Sequence, residues 1–240
     1  MAIGLQAPPS LGVKGKIRWA MVIDLRRCIG CMACVCADKA EFDVPLGVWR
    51  TTVQVKNTGK YPNVKKNFMP RLCNHCDNPP CVRNCPTQAT YKHEEGYVLQ
   101  RYERCIGCRT CMAACPYNAR HMLPNNRQRV KIGGVVDKCT FCHHRVEKGL
   151  LPACVQTCIG RARIFGDIND ADSEVARLVA THTTSVLKAA KGTKPQVYYI
   201  KPDRASTEQA YAEPKSAAAK SDAEAFYRHN RGEKFFSGVL

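Results

Sequence analysis

The chain has 240 residues, among them 16 cysteines and 37 Lys and Arg against 20 Asp and Glu, for a formal charge of +17. So many cysteines behind an opening (MAIGLQAPPSLGVKGKIRWAMVID) without a charged-then-apolar leader argue against a small secreted disulfide scaffold. No apolar run reaches the roughly 18 residues of a membrane span, and bound metal rather than a large apolar core can hold so loop-rich a chain together.

In chain order, residues 1–17 read as an N-terminal arm. The first cysteine group is Cys28-x2-Cys31-x2-Cys34, followed by Cys36 and by Asp38. The connector 39–72 is punctuated by Pro45, Gly59, Pro62 and Pro70 and offers a strand at Val48–Val55. The second group, Cys73-x2-Cys76-x4-Cys81-x3-Cys85, and the third, Cys105-x2-Cys108-x2-Cys111-x3-Cys115, are separated by 19 residues that include the strand-like YVLQRYERC. The connector 116–138 offers a strand at Val130–Val136. The fourth group is Cys139-x2-Cys142-x11-Cys154-x3-Cys158. After it, ARIFGDI reads as a return strand, and Asp170 or Ser173 caps a helix with Val175, Leu178, Val179, Val186 and Leu187 on one side. Gln196–Ile200 is a last short strand. The Ala/Lys/Ser/Glu-rich stretch 201–240 reads as a tail that is disordered alone or ordered against a partner.

This layout predicts an α+β fold of two interleaved units like bacterial two-cluster ferredoxins, loop-rich, with short β-hairpins and short helices. The inner unit is 73–115; the outer unit is 18–72 together with 116–200. Three cysteines spaced C-x2-C-x2-C lie on one tight loop, so their thiolates converge on three corners of a cubane. A fourth cysteine, four residues on and often followed by proline, ligates the other cluster of the pair. Cys85-Pro86 and Cys115-Pro116 have that form.

The expected ligand sets are therefore swapped. Centre A takes Cys28, Cys31, Cys34 and Cys158. Centre B takes Cys73, Cys76, Cys81 and Cys115, and centre C takes Cys105, Cys108, Cys111 and Cys85. Centre D takes Cys139, Cys142, Cys154 and position 38.

That position is the odd corner. Asp38 sits at i+4 from Cys34 and faces the partner centre on a helix, whereas Cys36 at i+2 lies about 200° round and faces away. Asp38 as an oxygen ligand is the favoured reading. A vacant corner giving [3Fe-4S], and local unwinding that recruits Cys36, are the alternatives. The expected cofactors are four iron–sulfur clusters, at least three of them [4Fe-4S].

Structural zinc needs two cysteine pairs per site and leaves the third cysteines and the Cys-Pro endings unexplained. His75, His143 and His144 are expected to be hydrogen-bonding or surface groups. Four clusters at about −2 each lower the net charge to roughly +9 or +10. The acid-free runs Arg50, Lys56, Lys60, Lys65, Lys66, Arg71 and Arg104, Arg109, Arg120, Arg127, Arg129, Lys131 fit charge compensation with solvated loops, or an acidic partner or headgroup surface. Nucleic acid is disfavoured because aromatics are not interleaved with them. Lys138, Arg104, Arg109, Arg145 and Arg161 flank cluster loops and either tune potentials or are simply solvated.

Together MVIDLRRCIGCMACVCADKAEFDVPLGVWRT, the two inner cysteine groups and DKCTFCHHRVEKGLLPACVQTC resemble the four-cluster electron-transfer subunits of molybdopterin oxidoreductases of the dimethyl sulfoxide reductase superfamily, including polysulfide-, thiosulfate-, tetrathionate-, arsenate- and sulfite-acting members. The resemblance covers about residues 18–200. It implies a large molybdopterin catalytic partner, an integral membrane anchor exchanging electrons with quinone or haem, and no catalytic site on this chain. It also implies a peripheral location, on the cytoplasmic face or periplasmic by export with a signal-bearing partner. The family carries cysteine at the place of Asp38, so the departure bears on the type of centre D. The competing expectations are a free-standing soluble polyferredoxin and a zinc-rich nucleic-acid-binding protein.

Overall fold

The structure, a computed structural model, describes residues 17–124 and 134–201. Among the described residues, 17–56 and 68–201 fall in one unit and 57–67 in a second. The first unit is built on the strand β1 (Trp19–Asp24), whose Ala20, Met21, Val22 and Ile23 have no exposed surface. An apolar run buried on both faces suits a central strand, and β1 has neighbours on both sides.

The elements that follow are short. They are α1 (Ala33–Phe42), β2 (Thr52–Thr58), β3 (Lys65–Arg71), α2 (Pro80–Arg83), β4 (Thr90–Lys92), β5 (Val98–Gln100), α3 (Thr110–Ala113), β6 (His121–Met122), β7 (Val136–Asp137), α4 (His143–Val146), α5 (Ala153–Gln156), β8 (Arg163–Asp167), α6 (Glu174–Thr181), β9 (Thr184–Ser185) and β10 (Val197–Ile200). Four strands form one sheet in the order β8-β1-β10-β9, with β8 antiparallel and β10 parallel to β1; β2-β3, β4-β5 and β6-β7 form separate ribbons. One face of the sheet packs on α6 through Ala20, Val22, Ile164, Val175 and Ile200. Helices that follow cysteine loops pack in pairs, α1 on α5 and α2 on α3. The α+β, loop-rich class is thus as the sequence predicts.

Several elements depart from the sequence-based expectation. The strand expected at Val48–Val55 begins only at Thr52. Arg50 and Thr51 turn inward instead, Arg50 Nε donating to the Lys138 carbonyl at 2.8 Å and Thr51 Oγ1 to the Arg71 carbonyl at 2.9 Å. In YVLQRYERC only Val98–Gln100 is strand, and Tyr102–Arg104 forms a 3-10 turn. Of the stretch Val130–Val136, residues 130–133 lie outside the described residues, and Val136 starts β7.

Ser173, not Asp170, caps α6, its Oγ accepting from the Ala176 N–H at 3.0 Å. The helix stops at Thr181, so Val186 and Leu187 are not on it. His182 is extended, and the run Thr183-Thr184-Ser185 disfavours helix and pairs with β10 instead. β1 and β3 were not anticipated. β3 tolerates Pro70 because a two-stranded ribbon leaves one side of each strand unpaired.

Five aromatic side chains close a ring within the first unit. Centroid distances run Tyr97–Trp19 6.5 Å, Trp19–Phe165 5.2 Å, Phe165–Phe141 5.3 Å, Phe141–His75 3.8 Å and His75–Tyr97 6.3 Å.

Candidate metal centres

The Cys-Ile-Gly-Cys loops of the first and third groups share one backbone path. Gly30 and Met32 have φ of 70° and 61°, and Gly107 and Arg109 have 69° and 63°. These left-handed turns tighten the loop. At the two glycines a side chain would also meet the Phe68 ring and the Gly134 carbonyl respectively. In the other two loops His75 (42°), Phe141 (54°) and Cys142 (52°) take positive φ.

Folding brings cysteines of different groups together. A cavity of about 350 Å³, mouth included, is lined by Cys28, Cys31, Cys34 and Cys158 with Arg27, Met32, Val53, Pro70 and Arg163. Burial pushes the Cys28 thiol up, and Cys34 and Cys158 push the same way. Cys76 is pushed up to about 12 by burial and by Cys73, Cys81 and Cys115. Cys111 is raised by burial and by Cys81, Cys105 and Cys85, and Cys108 also feels Cys85. Cys142 rises to about 12 and Cys154 to about 11, each through burial first, with Cys154 and Asp38 acting on Cys142, and Asp38 and Cys34 on Cys154.

Grouped and largely buried thiols are the donors that an iron–sulfur cluster takes. Backbone N–H groups of Thr90, Phe141 and Ala162 donate to Cys85, Cys139 and Cys158 Sγ at 3.4, 3.4 and 3.2 Å, as suits thiolates carrying cluster charge.

Cys36 is exposed on α1, whereas Asp38 is only 3% exposed. Its Oδ2 is without a hydrogen-bond partner among the described residues. Burial pushes its carboxyl up to about 6, with Asp137 adding to the rise against Arg50, Arg163 and Lys39. Its carboxylate lies within electrostatic reach of Cys139, Cys142 and Cys154, the thiols of the fourth group.

Of the flanking cations, Lys138 is buried completely, while Arg104, Arg109 and Arg161 are exposed. Arg145 is tied to Glu41 at 3.0 Å and to the Leu151 carbonyl at 2.9 Å. Three arginines near thiols are buried: Arg50 and Arg120, which the sequence showed only as members of basic runs, and Arg163, which went unrecognised. Arg163 carried a usable signal, an arginine inside the apolar strand ARIFGDI, which demands a buried anion. His75 is buried and held well below the usual histidine range by burial and then by Lys138; its Nδ1 accepts from the Val98 N–H at 3.0 Å. His143 and His144 pair with Glu147 and Glu41.

A 4Fe-4S dicluster domain profile matches residues 64–168. A tetrathionate reductase subunit of Salmonella typhimurium is 50% identical over 188 residues, spanning 76% of this chain and 72% of the relative. The chain belongs to this family of reductase iron–sulfur subunits. A selenate reductase subunit of Mesobacillus selenatarsenatis is 44% identical over 211 residues (77% and 72%), and the arsenate respiratory reductase iron–sulfur subunit of a Shewanella species is 37% identical over 226 residues (77% and 97%). As a member of the family, this protein is an iron–sulfur electron-transfer subunit with multiple clusters, and not a free-standing carrier. No helix among the described residues is long and apolar enough to cross a membrane.

Proposed function

We propose that the chain holds four clusters and relays single electrons between a large molybdopterin catalytic subunit and a membrane quinone-reactive or haem subunit. Centres A to D use the swapped ligand sets set out above, with Asp38 on the fourth. The inner and outer ferredoxin-like units each supply two centres. The observation that carries this reading is the spatial exchange of fourth cysteines: Cys158 with the first group, Cys115 with the second and Cys85 with the third.

The clusters supply one-electron redox chemistry, and the chain supplies their setting. Sulfur-directed N–H groups and buried cations stabilise anionic cofactors, and the packed interior excludes water. No side chain has to act as acid, base or nucleophile, and substrate chemistry belongs to the partner. Cys111 neighbours Cys81, and Cys34 neighbours Cys154, which supports C beside B and D beside A. Lys138, within reach of Cys73, Cys81 and Cys139, supports B beside D and hence the order C, B, D, A. The terminal centres reach the surface: Cys108 and Cys31 are exposed, beside exposed Ile106, Ile29 and Ile159. The chain is then peripheral, attached to the membrane through its complex, on the cytoplasmic face or exported with a signal-bearing partner.

Purification from native membranes tests the reading. About 15–16 irons per chain, with co-purification of a much larger molybdenum-containing chain, are expected. A zinc-loaded chain, or one that migrates alone, refutes it.

A further inference from the structure

Three buried cations lie between cysteine sets, where a cation serving one set would lie beside it. Arg163, 2% exposed, lines the cavity of Cys28, Cys31, Cys34 and Cys158, while its Nη1 donates to Cys154 Sγ of the fourth set at 3.7 Å. Its Nη2 is held by Thr51 Oγ1 at 2.9 Å. Lys138, with no exposed surface, precedes Cys139 and donates to the Cys139 carbonyl at 2.7 Å and to the Val98 carbonyl. Val98 packs against Cys81 of the second set, and Cys73 and Cys81 lie within electrostatic reach of the ammonium. Arg120, 6% exposed, donates to Thr90 Oγ1 at 3.1 Å, and the Thr90 N–H donates to Cys85 Sγ of the third set. Its thiol neighbours are Cys81 and Cys73 of the second set and Cys111 of the third. Arg50 is equally buried and offers a contrast: it acts on Cys139 and Cys142, both of the fourth set.

We propose that Arg120, Lys138 and Arg163 are junction cations, one in each gap of the relay C–B–D–A, and that each sets the potentials of its two flanking clusters together. The proposal rests on the four-cluster reading. In each hop the donor cluster loses one electron and the neighbour gains one, with no bond or proton changing place. A cation beside one cluster favours reduction there and makes that cluster a trap. A cation between two favours the reduced form on either side, so its contribution cancels from the hop while both potentials rise. In a low-dielectric interior that field reaches both neighbours, and it offsets the repulsion of two anionic cofactors brought close. The guanidinium groups of Arg120 and Arg163 keep their charge at any working pH.

The test is an EPR-monitored redox titration of the loaded protein, first unaltered, then as Lys138→Met, Lys138→Arg and Arg50→Met. Fewer than four clusters in the unaltered protein overturns the four-cluster reading and this proposal with it. With four present, Lys138→Met is expected to move centres B and D together. At a fixed potential the reduced-to-oxidised ratio of each falls at least about tenfold, which is about 59 mV for one electron. Centres A and C stay in place, Lys138→Arg restores B and D, and Arg50→Met moves D without B. Arg120→Gln and Arg163→Gln extend the test to the pairs B with C and A with D. If Lys138→Met, Arg120→Gln or Arg163→Gln loads four clusters but shifts one centre alone, or all four equally, the proposal is overturned and the four-cluster reading stands.

Discussion

Asparagine at position 38 separates two roles for the buried carboxylate by the sign of a stability change. Burial, with Asp137 adding to it, moves Asp38 from an ordinary 3.8 to about 6. At about 1.36 kcal/mol per pKa unit, keeping it ionised in a pocket without iron costs about 3 kcal/mol. A folded value above the unfolded one means that its stabilisation is full below pH 3.8 and lost as pH rises through about 6, so the cost is fully in force at pH 7. For a mere bystander, Asp38→Asn removes that cost and raises the apparent Tm by roughly 6–12 °C, at about 2–4 °C per kcal/mol for a chain of this size. For an iron ligand, the same change strips an anionic donor from centre D. The expected result is a lower apparent Tm at fixed scan rate, loss of about one iron per chain and a new [3Fe-4S] signal in EPR of the oxidised protein. A higher Tm with iron content and EPR unchanged refutes the ligand assignment.

Cys36→Ser is expected to leave iron content and every cluster signal intact, because the thiol is exposed on α1; loss of a signal counts against Asp38. Gly107→Ala combines a φ of 69° with a clash against the Gly134 carbonyl, so it costs more than the roughly 1–2 kcal/mol of left-handed strain alone and weakens the centre C signal. Gly149→Ala, at φ 70° in open space, is expected to show the strain cost with all signals kept, and equal effects of the two contradict the packing argument. Burial pushes Asp24 up, but hydrogen bonds and charge from Arg26 outweigh it and hold the carboxyl below 3.8. Its stabilisation is full above pH 3.8 and lost as pH falls through the depressed value. An acid-unfolding curve of Asp24→Asn is therefore expected to be flatter there than that of the parent; parallel curves disprove it.

The cysteine groups were readable because the first and third each put three cysteines on one local loop, and in the last three groups the fourth follows the third at a helical interval. That same interval separates Asp38, buried, from Cys36, exposed, on α1. β8 and β10 were readable from short apolar runs, and α6 from its Ser173 cap. β1 was not, because an unalternating run buried on both faces shows its identity only through partners, and those come from residues 163–167 and 197–200. The cations were legible only in part. Adjacency in the chain picks out Lys138, which is buried, together with Arg104, Arg109 and Arg161, which are exposed, whereas Arg163 reaches two cysteine sets only after β8 has paired with β1.

The aromatic ring bears on how the protein is made. Its members stand at positions 19, 75, 97, 141 and 165, so a growing chain cannot complete it until the eighth strand has left the ribosome. Contacts so distant in sequence form slowly. His75 and Phe141, stacked at 3.8 Å, stand in the loops of the second and fourth cysteine groups, so those two loops are held against each other only once most of the chain has been made.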